Sequence, residues 1–143
     1  MNNGTKDSIR VLVVEDEPDF AALISSVLSK HGYDVTLAWS ANEAVEKLEE
    51  EDPDLITLDL QMPGKSGLHF YRQIKSSSAH RNVPVIVITG VTHGDRDMTN
   101  FVRSFLEVDH LPAPQAYIEK PFDNQELADV VDRVLTPRDH QQQ

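Results

Sequence analysis

The fold of this 143-residue chain is constrained most by a set of short apolar segments. They alternate with segments that have the residue pattern of helices. Nearly continuous apolar runs occupy residues 11–14, 55–58 and 83–88, and shorter or alternating runs occupy 34–39 and 116–119. Strands that are apolar on both sides must be buried on both faces, as in a parallel sheet covered by helices. The pattern therefore predicts an α/β fold: a doubly wound, five-stranded parallel sheet with helices on both faces.

Local start and stop signals place the helices between these strands. Pro18 fits the first turn of a helix, where its missing N–H costs nothing, and Gly32 ends that helix. Ser40 and Glu43 have the spacing of a capping box, and Asp123 is the expected N-cap of the last helix. Apolar stripes after residue 67 and over 98–106 predict two more helices, so that five helices alternate with five strands.

The composition limits the classes of function. A net charge of −11 disfavours direct binding to nucleic acid or to an anionic membrane, and no apolar run is long enough to cross a bilayer. The chain has no cysteine, which excludes disulfides and thiolate metal sites and fits a reducing cytoplasm. The N-terminal residues contain no apolar signal segment, so we expect a cytoplasmic protein. We expect one domain over residues 9–135, between disordered tails at 1–8 and 136–143.

Polar side chains stand at the ends of four predicted strands. Glu15 and Asp16 follow the first strand, Asp59 follows the third, Thr89 ends the fourth, and Lys120 follows the fifth. A parallel sheet brings these ends to one edge, and ligands of such sheets bind at that edge. The sequence therefore predicts a site with three carboxylates, one hydroxyl and one ammonium.

The residue types at this edge indicate a particular chemistry. Clustered carboxylates repel one another and raise each other's pKa, and a hard divalent cation relieves that repulsion. Oxygen ligands suit Mg²⁺. A hydroxyl, an ammonium and a cation that converge on one carboxylate are typical of phosphoryl transfer, where positioning and charge neutralisation supply most of the catalysis.

The sequence resembles the receiver domain of bacterial two-component response regulators, in particular the single-domain receivers of chemotaxis. The resemblance spans residues 9 to 135. It rests on four motifs, VVEDEP (13–18), PDLITLDLQMPG (53–64), VPVIVITG (83–90) and YIEKPF (117–122). It implies a flavodoxin-like sheet with strand order 2-1-3-4-5.

The resemblance also implies roles for individual residues. Asp59 would accept a phosphoryl group from the phosphohistidine of a histidine kinase or a histidine phosphotransfer protein. Lys120 would pair with the phosphoryl oxygens, Thr89 would donate a hydrogen bond to them, and Tyr117 would turn inward when Thr89 moves. Mg²⁺ would be held by three carboxylates and one backbone carbonyl, those of Glu15, Asp16, Asp59 and Gln61.

The expected protein is a signalling switch that catalyses its own phosphotransfer and autodephosphorylation and acts on a downstream protein. We expect no output domain after residue 135, and a monomer or a weak, phosphorylation-dependent dimer. The 27 residues from 90 to 116 form a longer connection than the family usually has. The extra length would extend either the helix over 98–106 or the loop over 107–115.

Two other readings stay open. A Mg²⁺-dependent phosphohydrolase with an aspartyl-phosphate intermediate would share most of these residues, but such enzymes usually carry a second aspartate where this chain has Gln61. A flavin-binding domain of similar topology would need a phosphate-binding loop after the first strand, where the acidic run Glu15, Asp16, Glu17 repels phosphate in the absence of a metal.

Overall fold

The computed structural model describes residues 8–60, 67–90, 107 and 110–136 of the chain. These residues form five strands and four helices. The strands are β1 (Arg10–Val14), β2 (Asp34–Ala38), β3 (Leu55–Leu58), β4 (Val85–Gly90) and β5 (Ala116–Lys120). The helices are α1 (Pro18–Lys30), α2 (Ala41–Glu51), α3 (Gly67–Lys75) and α4 (Asn124–Leu135).

The strands form one parallel sheet in the order β2-β1-β3-β4-β5, which confirms the predicted order. Val14 is paired with Ala38 on one side and with Leu58 on the other, and Gly90 is paired with Lys120. The pairing register therefore brings the carboxyl ends of β1, β3, β4 and β5 to one edge of the sheet.

Each face of the sheet has its own hydrophobic core. Leu12 and Val14 of β1 pack on one side with α2 and α3, whereas Val11 and Val13 pack on the other side with α1 and α4. Successive side chains of a strand point to opposite faces, so a strand between two layers of helices must be apolar at every position. The doubly wound architecture that the apolar runs predicted is confirmed.

The capping signals act nearly as predicted. Ser40 Oγ accepts the N–H of Glu43 at 3.1 Å, and a carboxylate oxygen of Asp123 accepts the N–H of Gln125 at 3.3 Å. Glu43 differs from the expected capping box, because its Oε1 accepts the N–H of Trp39 at 2.7 Å, one residue before the N-cap. The side chains of Ser40 and Asp123 each accept an N–H of the first turn, which has no partner within the helix.

Strand β4 begins two residues later than the predicted 83–88 and ends two residues later. Pro84 has no N–H to offer a sheet, and the N–H of Val83 donates instead to the carbonyl of His80 at 3.0 Å. At the other end the strand continues to Gly90, so that the backbone of Thr89 lies opposite Glu119 of β5.

Several predicted features lie outside the described residues. These are the helix over 98–106, most of the connection over 90–116, and the two tails except for Ser8 and Thr136. Among the helices that the structure does describe, none has the length and apolar character needed to span a bilayer.

Candidate active site at the carboxyl edge of the sheet

Strands β1 and β3 bring the first carboxylates together. The N–H of Glu15 donates to the carbonyl of Ala38 at 3.0 Å, and the N–H of Asp59 donates to the carbonyl of Val14 at 3.0 Å. These bonds continue the sheet by one residue and hold both acidic residues at the same level. Glu15 is 1% exposed and Asp59 is 2% exposed, so two carboxylates are buried side by side.

Lys120, the last residue of β5, supplies the positive charge. Its Nζ lies 2.9 Å from Glu15 Oε2 and 3.5 Å from Asp59 Oδ2. A third carboxylate oxygen, Glu17 Oε1, also lies at 3.5 Å, and the Nζ stands 4.5 Å from the centre of the Phe20 ring. The ammonium is therefore surrounded by acidic oxygens and one aromatic face.

Burial, hydrogen bonds and neighbouring charges together shift the pKa values of Glu15 and Lys120. Desolvation raises the pKa of Glu15 to about 7, and the charge of Asp59 adds to that effect, although the hydrogen bond from Lys120 opposes it. Burial alone would lower the pKa of Lys120, but the hydrogen bond to Glu15 and the charges of Asp59, Glu15 and Glu17 together raise it. One ammonium thus neutralises only part of the negative charge.

The acidic residues fit a metal ion. Carboxylate oxygens of Glu15, Asp16 and Asp59 all lie within 4.8 Å of one another. Glu15 Oε1 and Asp16 Oδ1 are buried and have no hydrogen-bond partner within the described part of the chain. A buried oxygen without a donor is costly, and a cation in contact with it removes that cost. A hard divalent cation would therefore satisfy this donor set.

The group opens to solvent through a cleft of about 360 Å³. Its floor is formed by Asp59 and Lys120, and its walls are formed by residues at the start of α1 and the ends of β4 and β5, namely Asp16, Glu17, Phe20, Gly90 and Pro121. Asp59 is the carboxylate at the centre of the edge that also borders the opening. A small anionic group could reach it from solvent.

The remaining predicted site residues are placed less completely. Thr89 lies in β4 beside Gly90, but its side chain is outside what the structure describes, and so is Gln61. Tyr117 lies in β5 with 38% of its surface exposed. The structure therefore brings together Glu15, Asp16, Asp59 and Lys120, and places Tyr117 three residues before Lys120 on the same strand.

Sequence reasoning misses two side chains of the cleft that contact Lys120, those of Glu17 and Phe20. Glu17 belongs to the acidic run after β1, of which only the first two members are predicted to contribute. Phe20 fits the apolar face of α1, but its ring packs against Phe122 with the centroids 5.8 Å apart and faces the ammonium of Lys120. The signal for Glu17 is its position next to the acidic pair, whereas periodicity alone cannot separate Phe20 from a core residue.

Solved structures share this fold. The chemotaxis protein CheY4 of Vibrio cholerae is 23% identical to this chain and superposes with a TM-score of 0.76, over 90% of this chain and 99% of that protein. The receiver domain of NtrX from Brucella abortus is 30% identical, with a TM-score of 0.74, over 87% of this chain and 97% of that domain.

The sequence itself matches the family described as the response regulator receiver domain over residues 11–132. This span includes nearly all of β1, which precedes the first acidic pair, and most of the last helix, so it reaches every described element of the sheet. The match, the strand order and the acidic edge agree with one another, and this chain belongs to the response regulator receiver domain family.

Proposed function

We propose that Asp59 is the phosphoacceptor of this receiver domain, and that it takes a phosphoryl group from a phosphohistidine of a histidine kinase or a histidine phosphotransfer protein. The observation that carries the proposal is the position of Asp59: a buried carboxylate on the floor of an open cleft, with the ammonium of Lys120 at 3.5 Å. Receiver domains in general interact with phosphodonor kinases and with downstream targets.

The transfer is a displacement at phosphorus. A carboxylate oxygen of Asp59 forms the new P–O bond while the P–N bond of the phosphohistidine breaks, and the electron pair of that bond stays on the imidazole nitrogen. Lys120 then pairs with the phosphoryl oxygens, and the hydroxyl of Thr89 donates a hydrogen bond to them. Hydrolysis by water releases inorganic phosphate and a proton and restores the Asp59 carboxylate.

Mg²⁺ is the cofactor that we propose for this step. Glu15, Asp16 and Asp59 would hold it with the backbone carbonyl of Gln61, because three clustered carboxylates and two buried oxygens without donors suit a hard cation. When bound, the ion neutralises charge on the carboxylates and on the incoming phosphoryl group.

We further propose that phosphorylation switches the surface near β5. Movement of Thr89 toward the phosphoryl group would vacate space beside β5, and Tyr117, which is 38% exposed, would rotate into that space. The changed surface would then bind a downstream protein. We propose a cytoplasmic location, and a monomer or a weak phosphorylation-dependent dimer.

The test is phosphorylation by a small donor. With Mg²⁺ and acetyl phosphate, the wild-type protein should take up one phosphoryl group per chain, measured by intact-protein mass spectrometry. Asp59→Asn should take up none, because the amide oxygen is a poor nucleophile, and EDTA should abolish uptake by the wild type. Asp34→Asn, which changes an exposed carboxylate at the opposite end of the sheet, is the control and should label normally.

Two outcomes would contradict the proposal. Equal labelling of Asp59→Asn would place the phosphoacceptor elsewhere. Sustained release of many equivalents of phosphate from varied phosphomonoesters would instead indicate that the protein is a Mg²⁺-dependent phosphohydrolase with an aspartyl-phosphate intermediate.

A further inference from the structure

Lys120 has more anionic partners than phosphoryl binding requires. Its Nζ is equally far, 3.5 Å, from Glu17 Oε1 and from Asp59 Oδ2. The side chain of Glu17 is 57% exposed, whereas that of Asp59 is 2% exposed. Glu17 thus reaches Lys120 from the solvent side of the cleft, and Asp59 reaches it from the floor.

The structure also shows what Glu17 does not do. It is the N-cap residue of α1, but its side chain makes no capping hydrogen bond. An N-cap side chain usually accepts an N–H of the first turn. Here the backbone N–H of Glu17 donates to Glu15 Oε2 at 3.2 Å, and the carboxylate is directed to Lys120 instead. The carboxylate of Glu17 therefore lines the cleft and pairs with Lys120 instead of capping α1.

Bonding of a phosphoryl group to Asp59 adds anionic oxygens within reach of Lys120. The ammonium has three N–H donors, and Glu15 already takes one at 2.9 Å. The face of Phe20, 4.5 Å away, restricts the ammonium on another side. The phosphoryl oxygens would therefore share the two remaining donors with Glu17, whose carboxylate holds the ammonium toward the solvent side of the cleft.

We propose that Glu17 is a positioning residue that competes with the phosphoryl group on Asp59 for Lys120 and thereby weakens the phosphorylated state. The inference rests on the proposed phosphoacceptor role of Asp59. Loss of the Glu17 contact should free Lys120 for the phosphoryl group, so that the active form is held more tightly.

Two variants of Glu17 separate direct pairing from general charge. Glu17→Gln removes the charge and the ion pair together. Glu17→Asp keeps the charge but shortens the side chain by one methylene, so that its carboxylate no longer reaches Lys120. Aspartate is also a favoured N-cap residue, and the variant should fold with its carboxylate turned toward the first turn of α1.

Asp19→Asn is the matched control. Asp19 lies in the first turn of the same helix, is exposed, and is not among the described residues that line the cleft. Its replacement changes the net charge and the charge at the helix N-terminus in the same way as Glu17→Gln. Any effect that both variants share is therefore a general electrostatic effect.

The measurement is the affinity for beryllofluoride, a mimic of the phosphoryl group, at saturating Mg²⁺ by calorimetry. The Mg²⁺ affinity of each variant is measured separately. Both Glu17→Gln and Glu17→Asp should bind beryllofluoride about two- to fivefold more tightly than the wild type, the range expected for a partly exposed ion pair. Asp19→Asn should bind within about 1.5-fold of the wild type, because its charge is screened by solvent and salt.

The outcomes are distinct. Wild-type affinity in Glu17→Asp, or an equal gain in Asp19→Asn and Glu17→Gln, would overturn the inference, because only general charge would then matter. Unchanged affinity in both Glu17 variants would also overturn it and leave the phosphoacceptor role intact, provided that the wild type binds beryllofluoride. A wild type that neither binds the mimic nor takes up phosphate would overturn both proposals.

Discussion

At the scale of single residues, the ammonium groups of Lys120 and Lys75 are buried in different ways. Lys120 is surrounded by carboxylates, which raise its pKa. Lys75 of α3 is 4% exposed, and its Nζ donates to the carbonyls of Arg81 at 3.0 Å and Val83 at 2.8 Å. Desolvation lowers the pKa of Lys75, because carbonyl dipoles replace the hydration of a charge only in part.

The lowered pKa of Lys75 predicts a stability gain at alkaline pH. A folded state with a lower lysine pKa binds fewer protons than the unfolded state, so the free energy of unfolding rises with pH from the lowered pKa up to 10.5. Lys75→Met removes this rise. The difference between the two slopes should not exceed about 1.4 kcal/mol per pH unit, the value for one proton.

Urea denaturation of the wild type and Lys75→Met at several pH values between about 8 and about 10.5 measures the two slopes. Lys47→Met, which replaces a lysine of α2 whose side chain is 32% exposed, is the control for the loss of one lysine charge. Parallel slopes for the wild type and Lys75→Met would show that burial does not disfavour the ammonium.

At the scale of elements, the start of α3 determines where the backbone of Asp59 lies. A Cβ on Gly67 would stand 2.4 Å from the carbonyl oxygen of Asp59 and 2.7 Å from the Cα of Leu60. No side chain fits at such distances, so the helix can pack against the backbone that follows β3 only through a glycine. The position of Asp59 therefore depends on the residue at the first position of the next helix along the chain.

Gly67→Ala should damage the site as well as the fold. Overpacking against backbone costs about 1–3 kcal/mol of unfolding free energy, and the displaced Asp59 should bind Mg²⁺ more weakly. Gly32→Ala is the matched control. Gly32 has φ +90, and a methyl group added there would meet no atom within 4 Å, so alanine should cost about 1–2 kcal/mol through backbone strain alone.

Urea denaturation and Mg²⁺ calorimetry on both variants separate the two effects. Both should lose stability, but only Gly67→Ala should lose metal affinity. Equal Mg²⁺ affinity in the two variants would contradict the positioning role of Gly67.

At the scale of the whole molecule, hydrogen bonds join the segment before β5 to α3 and to β4. The hydroxyl of Tyr71 on α3 donates to the carbonyl of Pro112 at 2.5 Å. Gln115 makes two hydrogen bonds with Val85 at the start of β4, at 2.9 Å through its backbone N–H and at 3.0 Å through its side-chain oxygen. A movement of β5 can therefore reach α3 and β4 through the hydrogen bonds of Pro112 and Gln115.

We predict that phosphorylation shifts a population between two arrangements of this region. Hydrogen exchange with and without beryllofluoride, at saturating Mg²⁺, should show altered protection in β5 and in residues 110–115. Asp59→Asn, which should not bind the mimic, is the control. Changes confined to α1 and α2 would contradict the prediction and place the responsive surface elsewhere.

The sequence by itself determined the elements and their order along the chain. Apolar runs, helical stripes, Pro18 and the cap residues Ser40 and Asp123 are local signals, because each depends on neighbours within one turn or strand. The polar residues at the ends of β1, β3 and β5 could be assigned to one edge because parallel strands have a single direction. The five strands and four of the five predicted helices are confirmed, and the helix predicted over 98–106 lies outside the described residues.

Tertiary structure alone decided how the side chains at that edge meet. Glu17 and Lys120 are 103 residues apart in sequence, and their ion pair depends on where α1 lies relative to β5. The same packing turns Phe20 toward Lys120 and requires Gly67 beside Asp59. Periodicity specifies which face of an element is buried, but distances of a few ångströms between elements are set by the packing of both cores together.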